Sequence, residues 1–150
     1  MRARDIMQPA RVVGADDPAD DLIRAFEDPE LRAVAVVTEE GDLVGLLTDE
    51  DLLYALLPSY VLEDEALAGV LEERAGSTLR KRIEGKRVRE VVNTTRRQEE
   101  PVDADDTLVE VAVRLVRSGH PAVLVGEAGR VLGVITVDVL LPALLGSGRE

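Results

Sequence analysis

Two threonines occupy matching places in the sequence, each three residues after a glycine. The first lies in the segment Gly45–Leu52, which reads GLLTDEDL, and the second is Thr136 in the segment Gly133–Leu140, which reads GVITVDVL. A threonine hydroxyl followed by the first amides of a helix is suited to hold an anion. The same residues also suit a helix start, with Thr48 as the N-cap and Asp51 in the first turn. The residues alone leave both interpretations open.

Residues for covalent or metal chemistry are scarce. The chain contains no cysteine and one histidine, and it lacks the short motifs of serine hydrolases, phosphate-binding loops and zinc proteases. Aspartate clusters at 16–21 and 103–106 lack the glycine-containing loop and terminal glutamate of a calcium site. We therefore predict no enzyme, no metal site and no catalytic cofactor.

The net charge of −12 is unevenly distributed along the 150 residues. Residues 1–75 carry 6 Lys/Arg and 19 Asp/Glu, whereas residues 76–150 carry 12 and 11. Nucleic acid would repel so acidic a surface, and the three aromatic residues provide no stacking platform for bases. No apolar stretch is long enough to span a bilayer without interruption. These features argue against nucleic-acid binding and membrane insertion, and they favour a cytoplasmic protein.

An internal repeat organises the chain. When Ala33–Leu57 is shifted by 88 positions onto Pro121–Leu145, 10 of the 25 residue pairs are identical, and seven of the others exchange one aliphatic residue for another. Upstream, Ala3–Met7 resembles Val88–Val92. The sequence therefore predicts two repeats of about 55 residues.

Each repeat is predicted to contain an extended lead, a helix, two strands and a second helix. Asp17 and Asp106 are the expected N-caps of the first helices. Short aliphatic runs on either side of Gly41 and Gly129 predict β-hairpins, because glycine permits a positive φ at the turn. Since a lone hairpin is not stable, we expect an α+β fold in which β-α-β-β-α repeats pack on each other through their small sheets.

Residues 58–85 do not repeat. Gly76 follows a predicted amphipathic insert helix, whose apolar residues recur at helical spacing: Leu62, Ala66, Leu67, Val70, Leu71 and Ala75. A short second helix is expected over Leu79–Ile83. The predicted organisation is a first repeat at 1–57, a helical insert at 58–85, a second repeat at 86–145 and a tail at 146–150.

The repeats resemble a tandem pair of CBS (cystathionine-β-synthase) domains. The resemblance rests on Arg4-Asp5-Ile6-Met7 in the lead, on the two glycine-turn hairpins and on the segment Gly45–Leu52. It implies a stand-alone regulatory module that binds an adenine nucleotide (AMP, ADP or ATP) between the repeats, forms a homodimer and signals to an unidentified protein partner. The alternative is a structural or protein-interaction module that binds no nucleotide.

The resemblance also implies roles for individual residues. Thr48 would donate to a phosphate oxygen and Asp51 would accept from the ribose hydroxyls. In the second repeat Thr136 is present, but Val139 replaces the aspartate and Asp138 lies one residue early, about 100° around the helix. One competent site centred on Thr48 and Asp51 is therefore expected, with the second site in doubt.

Cations for the phosphate come from two places in the sequence. Arg32 and His120 stand at equivalent positions before the first hairpin strands, where the family often carries basic residues. A dense basic run at 80–97 is the rival source, although it would equally compensate the acidic first half, and His120 would equally be structural. Gly45 is expected to allow close approach of the ligand or of a neighbouring strand.

Overall fold

The computed structural model describes residues 1–71, 79–94 and 100–146. The first repeat contains α1 (Ala3–Ile6), β1 (Val12–Gly14), α2 (Asp20–Ala25), β2 (Ala33–Val37), β3 (Leu43–Thr48) and α3 (Asp49–Leu56). The insert contains α4 (Ser59–Glu63), a 3-10 helix (Glu65–Leu67) and α5 (Ala68–Leu71). The second repeat contains α6 (Val88–Thr94), β4 (Val102–Asp103), α7 (Leu108–Ser118), β5 (Ala122–Glu127), β6 (Arg130–Thr136) and α8 (Val137–Leu145). No helix within the described ranges is both long and apolar enough to cross a membrane.

The two sheets have the same topology. Their strand orders are β1-β2-β3 and β4-β5-β6, with a parallel outer pair followed by an antiparallel hairpin. Gly41 has φ 92° in the first hairpin turn, and Ala128 and Gly129 have φ 53° and 81° in the second. In the second hairpin both central residues have positive φ, which is typical of the type I′ turn that suits a twisted hairpin. Both predicted hairpins are confirmed.

The sheets pack against each other between the repeats. Ala35 and Leu46 of the first sheet form one buried cluster with Leu124 of the second. The two hairpins are also joined by a hydrogen bond of 2.9 Å from the Leu43 amide to the Gly129 carbonyl. The predicted α+β fold, with repeats packed through their small sheets, is therefore confirmed.

Each repeat's lead crosses to the other repeat. Helix α1 is buried in the core of the second sheet, where Ala3 and Ile6 pack with Ile135. Helix α6 is buried in the core of the first sheet, where Val91 packs with Leu47. The two repeats therefore complete each other's cores, which our sequence analysis did not predict.

Matching ion pairs link each exchanged lead to the repeat on which it packs. Arg4 in α1 contacts Asp105 at 2.6 Å, and Arg89 in α6 contacts Asp16 at 2.8 Å. The Arg89 guanidinium donates a hydrogen bond to Asp16 and lowers the pKa of that carboxyl. Asp16 and Asp105 of the aspartate clusters, and Arg89 of the basic run, thus form ion pairs with the leads or within them. Arg96 and Arg97, in the same run, lie outside the described residues.

The predicted N-caps Asp17 and Asp106 are wrong. The Asp17 carboxylate accepts from the Gly14 amide at 3.0 Å, and the Asp106 carboxylate accepts from the Asp103 amide at 3.0 Å. Thr107 caps α7 instead, one residue after the predicted position. Each aspartate closes the turn that follows the strand, because its short side chain reaches an amide three residues upstream.

The described part of the insert is helical, but as separate pieces and not as the predicted single helix. It breaks at Asp64, whose backbone is extended at φ −142° and whose carboxylate accepts from the Ala66 amide at 3.0 Å. An aspartate that binds nearby amides favours a cap over a helix interior. The rest of the predicted helix, including Ala75 and Gly76, lies at 72–78, outside the described residues.

Within the second predicted insert helix, Leu79–Ile83, residues 79–80 are helical and residues 81–85 form turns. Ile83 is nevertheless 1% exposed and belongs to the core of the first sheet. Val61 in α4 is buried as well, and so is Pro58 at the start of the insert. These side chains anchor the insert against the protein.

Candidate functional site

Thr48 and Asp51 form a reciprocal capping box at the start of α3. The Thr48 hydroxyl accepts from the Asp51 amide at 3.0 Å, and the Asp51 carboxylate accepts from the Thr48 amide at 3.0 Å. Their exposed fractions are 0% and 2%. The helix-start interpretation therefore holds for this pair, and the proposed contacts to phosphate and ribose stay a prediction.

Thr136 begins α8 without such a box. Its backbone is extended, at φ −104° and ψ 161°, but its side chain makes no capping hydrogen bond with the described residues. Val139 stands where a carboxylate would have to accept from the Thr136 amide. The hydroxyl of the second threonine is consequently available for a ligand.

A cleft of about 770 Å³ opens beside Thr136, between the two repeats. Arg32 lies on the side contributed by the first repeat, whereas Thr136 and Asp138 lie on the side contributed by the second. The remaining lining residues are Pro29, Glu30, Pro121, Val137, Leu141, Pro142 and Leu145. Three of the predicted site residues are therefore brought together in one cavity.

The strand–helix junctions position both sides of the cleft. The Asp49 amide donates to the Arg32 carbonyl at 3.1 Å, and the Val137 amide donates to the Pro121 carbonyl at 3.2 Å. Each bond ties the residue before a hairpin to the first turn of the helix after it. The Arg32 guanidinium lies 3.8 Å from the Asp49 carboxylate, and its side chain is 62% exposed. An exposed pair at this distance is weak, so Arg32 is free to contact an anion.

Pro142 distinguishes the second helix from the first. Because proline has no N–H, it cannot donate the usual helical hydrogen bond to the carbonyl of Asp138, four residues earlier. Both residues line the cleft. Tyr54 occupies the matching place in α3, so this feature is confined to the second repeat. The proline was visible in the sequence, but its relation to a site was missed.

His120 and Gly45 lie outside the cleft. His120 borders a small cavity with Glu100 and Ser118, and its Nδ1 atom is buried without a hydrogen-bond partner among the described residues. Gly45 lines a separate groove of about 500 Å³, together with Pro101. The structure therefore separates these two predicted site residues from Arg32.

Gly133 in the second repeat matches Gly45, and the exchanged lead passes close to it. A Cβ added to Gly133 would lie 2.7 Å from the Gln8 carbonyl oxygen and 3.1 Å from the Met7 sulfur. Gln8 and Val134 also exchange two backbone hydrogen bonds of 2.8 Å. A side chain at position 133 would collide with the exchanged lead. The close approach of this neighbouring segment therefore explains the glycine.

Comparison with known proteins gives a consistent result. A family model for the CBS domain matches residues 3–58 and 88–146. A solved CBS domain-containing protein of unknown function from Kribbella flavida is 28% identical, with a TM-score of 0.75 over 97% of this chain and 99% of that chain. No match was found among curated proteins.

Two further solved structures share the fold at lower identity. CBSX2, a CBS-pair protein of Arabidopsis thaliana, is 22% identical in its complex with AMP, with a TM-score of 0.69 over 99% of this chain and 98% of that chain. The CBS domain pair of MJ0100, in complex with 5′-methylthioadenosine and S-adenosyl-L-methionine, is 17% identical, with a TM-score of 0.65 over 99% and 98%. Because the family model covers both repeats and most of the sequence, the chain belongs to the CBS-domain family, as a tandem CBS pair.

Proposed function

We propose that this chain is a regulatory module that binds an adenosine-containing ligand in the cleft between its repeats. The observation that carries the proposal is the meeting of Arg32 from the first repeat with Thr136 and Asp138 from the second in one cavity. Its volume lies within the usual range for small-molecule sites. CBSX2 with AMP, and MJ0100 with two adenosyl compounds, support an adenosine ligand.

The lining suits the separate parts of such a ligand. The Thr136 hydroxyl and the Arg32 guanidinium are donors for a phosphate. Asp138 supplies a carboxylate and a backbone carbonyl, which accept from ribose hydroxyls or an adenine amino group. Leu141 and Pro121 provide apolar walls for the base.

The charge of the cleft favours a ligand with few phosphates. Arg32 is the one cation among the described lining residues, whereas Glu30 and Asp138 are acidic. A triphosphate would bring several negative charges to a cavity with a single positive group. We therefore propose that AMP or a less charged adenosyl compound binds more tightly than ATP.

A ligand in this position would act by bridging the repeats. It contacts the first repeat through Arg32 and the second through Thr136, so it favours the relative arrangement in which both contacts are made. A ligand shifts such an equilibrium only through its different affinity for the two arrangements. A protein partner that senses the arrangement completes the regulatory role.

A thermal-shift panel with AMP, ADP, ATP, S-adenosylmethionine and methylthioadenosine tests the proposal. Binding to the folded state alone stabilises it by about 2.7 kcal/mol at a ligand concentration 100 times the Kd. We expect the largest upward shift in Tm with a ligand that carries at most one phosphate. A Tm unchanged by every ligand at millimolar concentration would favour the protein-interaction alternative.

Arg32→Gln, with Arg130→Gln as its control, locates the binding site. Arg130 makes a comparable pair with Asp42, at 3.7 Å, and its side chain is 59% exposed, but it does not line the cleft. We expect Arg32→Gln to weaken AMP binding about tenfold, as loss of a charge-assisted hydrogen bond does. Equal loss in both variants would refute the assigned site.

A further inference from the structure

A second, smaller cavity lies where the insert meets the first repeat. Its volume is about 140 Å³, and its lining includes Tyr54 of α3, Ser59 and Leu62 of α4, and the nearby Arg82 and Lys86. We call this cavity the insert pocket. No described residue lines both the insert pocket and the ligand cleft, so the two are separate places in the molecule.

A tight turn places two cations of the basic run at the wall of the insert pocket. Gly85 has φ 77°, and the Lys86 amide donates to the Ile83 carbonyl at 3.1 Å. Glycine accepts this positive φ, so the chain reverses between Arg82 and Lys86. The Lys86 carbonyl accepts in turn from the Ala19 amide at 2.9 Å, which ties the turn to the first repeat. The backbone that presents both cations is therefore held in place.

These two cations are not used as their neighbours in the basic run are. Arg87 donates to the Asp16 carbonyl at 2.9 Å, and Arg89 donates to the Asp16 carboxylate at 2.8 Å. Arg82 and Lys86 form no ion pair with any residue that the structure describes. Holding the exchanged lead therefore accounts for part of the basic run and leaves these two positive charges unexplained.

The insert pocket also differs from the other cavities in its charge. Its described lining contains no carboxylate. The ligand cleft contains Glu30 and Asp138, whereas the groove at Gly45 and the small cavity at His120 both contain Glu100. The insert pocket thus concentrates positive charge in a chain whose net charge is −12. A cavity of this kind attracts anions.

Hydroxyl groups and apolar surface complete the lining. Tyr54 and Ser59 each carry a hydroxyl, which can donate to an oxyanion. Ile83 and Val91 are each 1% exposed and supply buried apolar surface. Tyr54 and Leu62 are 49% and 46% exposed, so they extend apolar surface from the pocket towards solvent.

We propose that the insert pocket binds the phosphate group of a small phosphate monoester. Such a group carries a charge of about −1.5 to −2 at pH 7, which the two cations match, whereas a carboxylate would leave one of them unpaired. Guanidinium and ammonium groups form charge-assisted hydrogen bonds with phosphate oxygens. The pocket is smaller than the range of about 300–1,000 Å³ that holds a whole ligand. It therefore encloses the phosphate, and the organic part of the ligand lies against Tyr54 and Leu62.

An NMR titration of the 15N-labelled chain with phenyl phosphate, and separately with inorganic phosphate, tests this proposal. Sodium chloride serves as the control for ionic strength. We expect saturable amide shifts at Ser59 and at 82–86, with tighter binding of phenyl phosphate because its ring packs on Tyr54. Phenyl phosphate lacks adenosine, so its failure to bind would leave the proposed function of the cleft untouched.

Three outcomes of this titration would overturn the proposal. The first is the absence of saturable shifts with phenyl phosphate at millimolar concentration. The second is a set of shifts confined to Arg32 and Thr136, which would place the anion in the ligand cleft. The third is equal affinity for the two anions, which would make inorganic phosphate the ligand in place of a monoester.

The double variant Arg82→Gln/Lys86→Gln, with Arg80→Gln/Lys81→Gln as its control, identifies the cations. The control removes the same charge from the same run, but neither of its residues lines the insert pocket. We expect the first variant to weaken phenyl phosphate binding about tenfold or more, and the control to weaken it less than about twofold. Equal weakening would reduce the effect to overall charge and overturn the proposal. The positions of the shifts in the natural chain test the site even if a variant does not fold.

Discussion

At the scale of single residues, two threonines with the same place in the repeat have different physical roles. Thr48 is buried and caps α3 through hydrogen bonds that Asp51 returns. The Thr136 hydroxyl makes no capping bond with the described residues, and Val139 stands where the returning carboxylate would be. The repeat that lacks the carboxylate is thus the one whose threonine is available to a ligand.

Replacement of each threonine by valine should separate these roles. Thr48→Val removes a buried cap and should lower the free energy of unfolding by about 1–2 kcal/mol. Thr136→Val should change it by less than about 0.5 kcal/mol, while weakening AMP binding. Urea unfolding and calorimetric titration measure the two effects. Equal destabilisation by both substitutions would show that Thr136 is also a structural cap.

At the scale of elements, the exchange of leads makes each sheet depend on a helix from the other repeat. Ile6→Ala, in α1, should therefore destabilise the second sheet, at a cost of about 2 kcal/mol for a buried isoleucine. Hydrogen exchange should accelerate in β5 and β6 more than in β2 and β3. Val91→Ala, in α6, is the matched control. It should accelerate hydrogen exchange in β2 and β3 more than in β5 and β6. If Ile6→Ala instead accelerated hydrogen exchange mainly in β2 and β3, the packing of α1 on the second sheet would be contradicted.

The helices and strands were predicted from the sequence better than which of them pack together. Aliphatic runs around Gly41 and Gly129 define the hairpins because strand alternation and turn chemistry are local properties. The leads, Ala3–Ile6 and Val88–Val91, carry similar apolar residues, and burial of apolar surface is non-directional. Either lead would therefore suit either sheet by composition alone. The close fit at Gly133 becomes visible only when the chain is folded.

The candidate site was predictable in part for a similar reason. Arg32 and Thr136 were expected from residue type and from their place in the repeat, whereas Asp138 was expected to be displaced and the site was centred on Thr48 and Asp51. Their convergence in one cleft depends on how the two repeats pack, which no local pattern encodes. The aspartate caps were misplaced because a short carboxylate binds an upstream amide as readily as a downstream one.

At the scale of the whole molecule, ion pairs between the repeats couple stability to pH. Arg89 lowers the pKa of Asp16 in the folded state. A depressed folded-state pKa contributes stability above the ordinary aspartate value near 4, and this contribution is lost as the pH falls through the folded-state value.

Asp16→Asn removes this contribution and provides its test. The natural chain should be more stable than the variant at pH 7, and the difference should shrink steadily below about pH 4. Urea unfolding of both proteins over the acid range measures it. A difference that does not vary with pH would exclude titration of Asp16 as its source.

The regulatory role that we propose for the whole molecule depends on a ligand that contacts both repeats at once. The cleft offers Arg32 from one repeat and Thr136 with Asp138 from the other. Thr48 and Asp51 are enclosed at the start of α3, so they form a second, separate location at which a ligand could be detected.

An NMR titration of the 15N-labelled protein with AMP distinguishes the two locations directly. We predict that the largest amide shifts occur at Arg32 and at Thr136–Asp138, on both sides of the cleft. Shifts centred on Thr48–Asp51, or no shifts at millimolar AMP, would contradict binding between the repeats at this cleft.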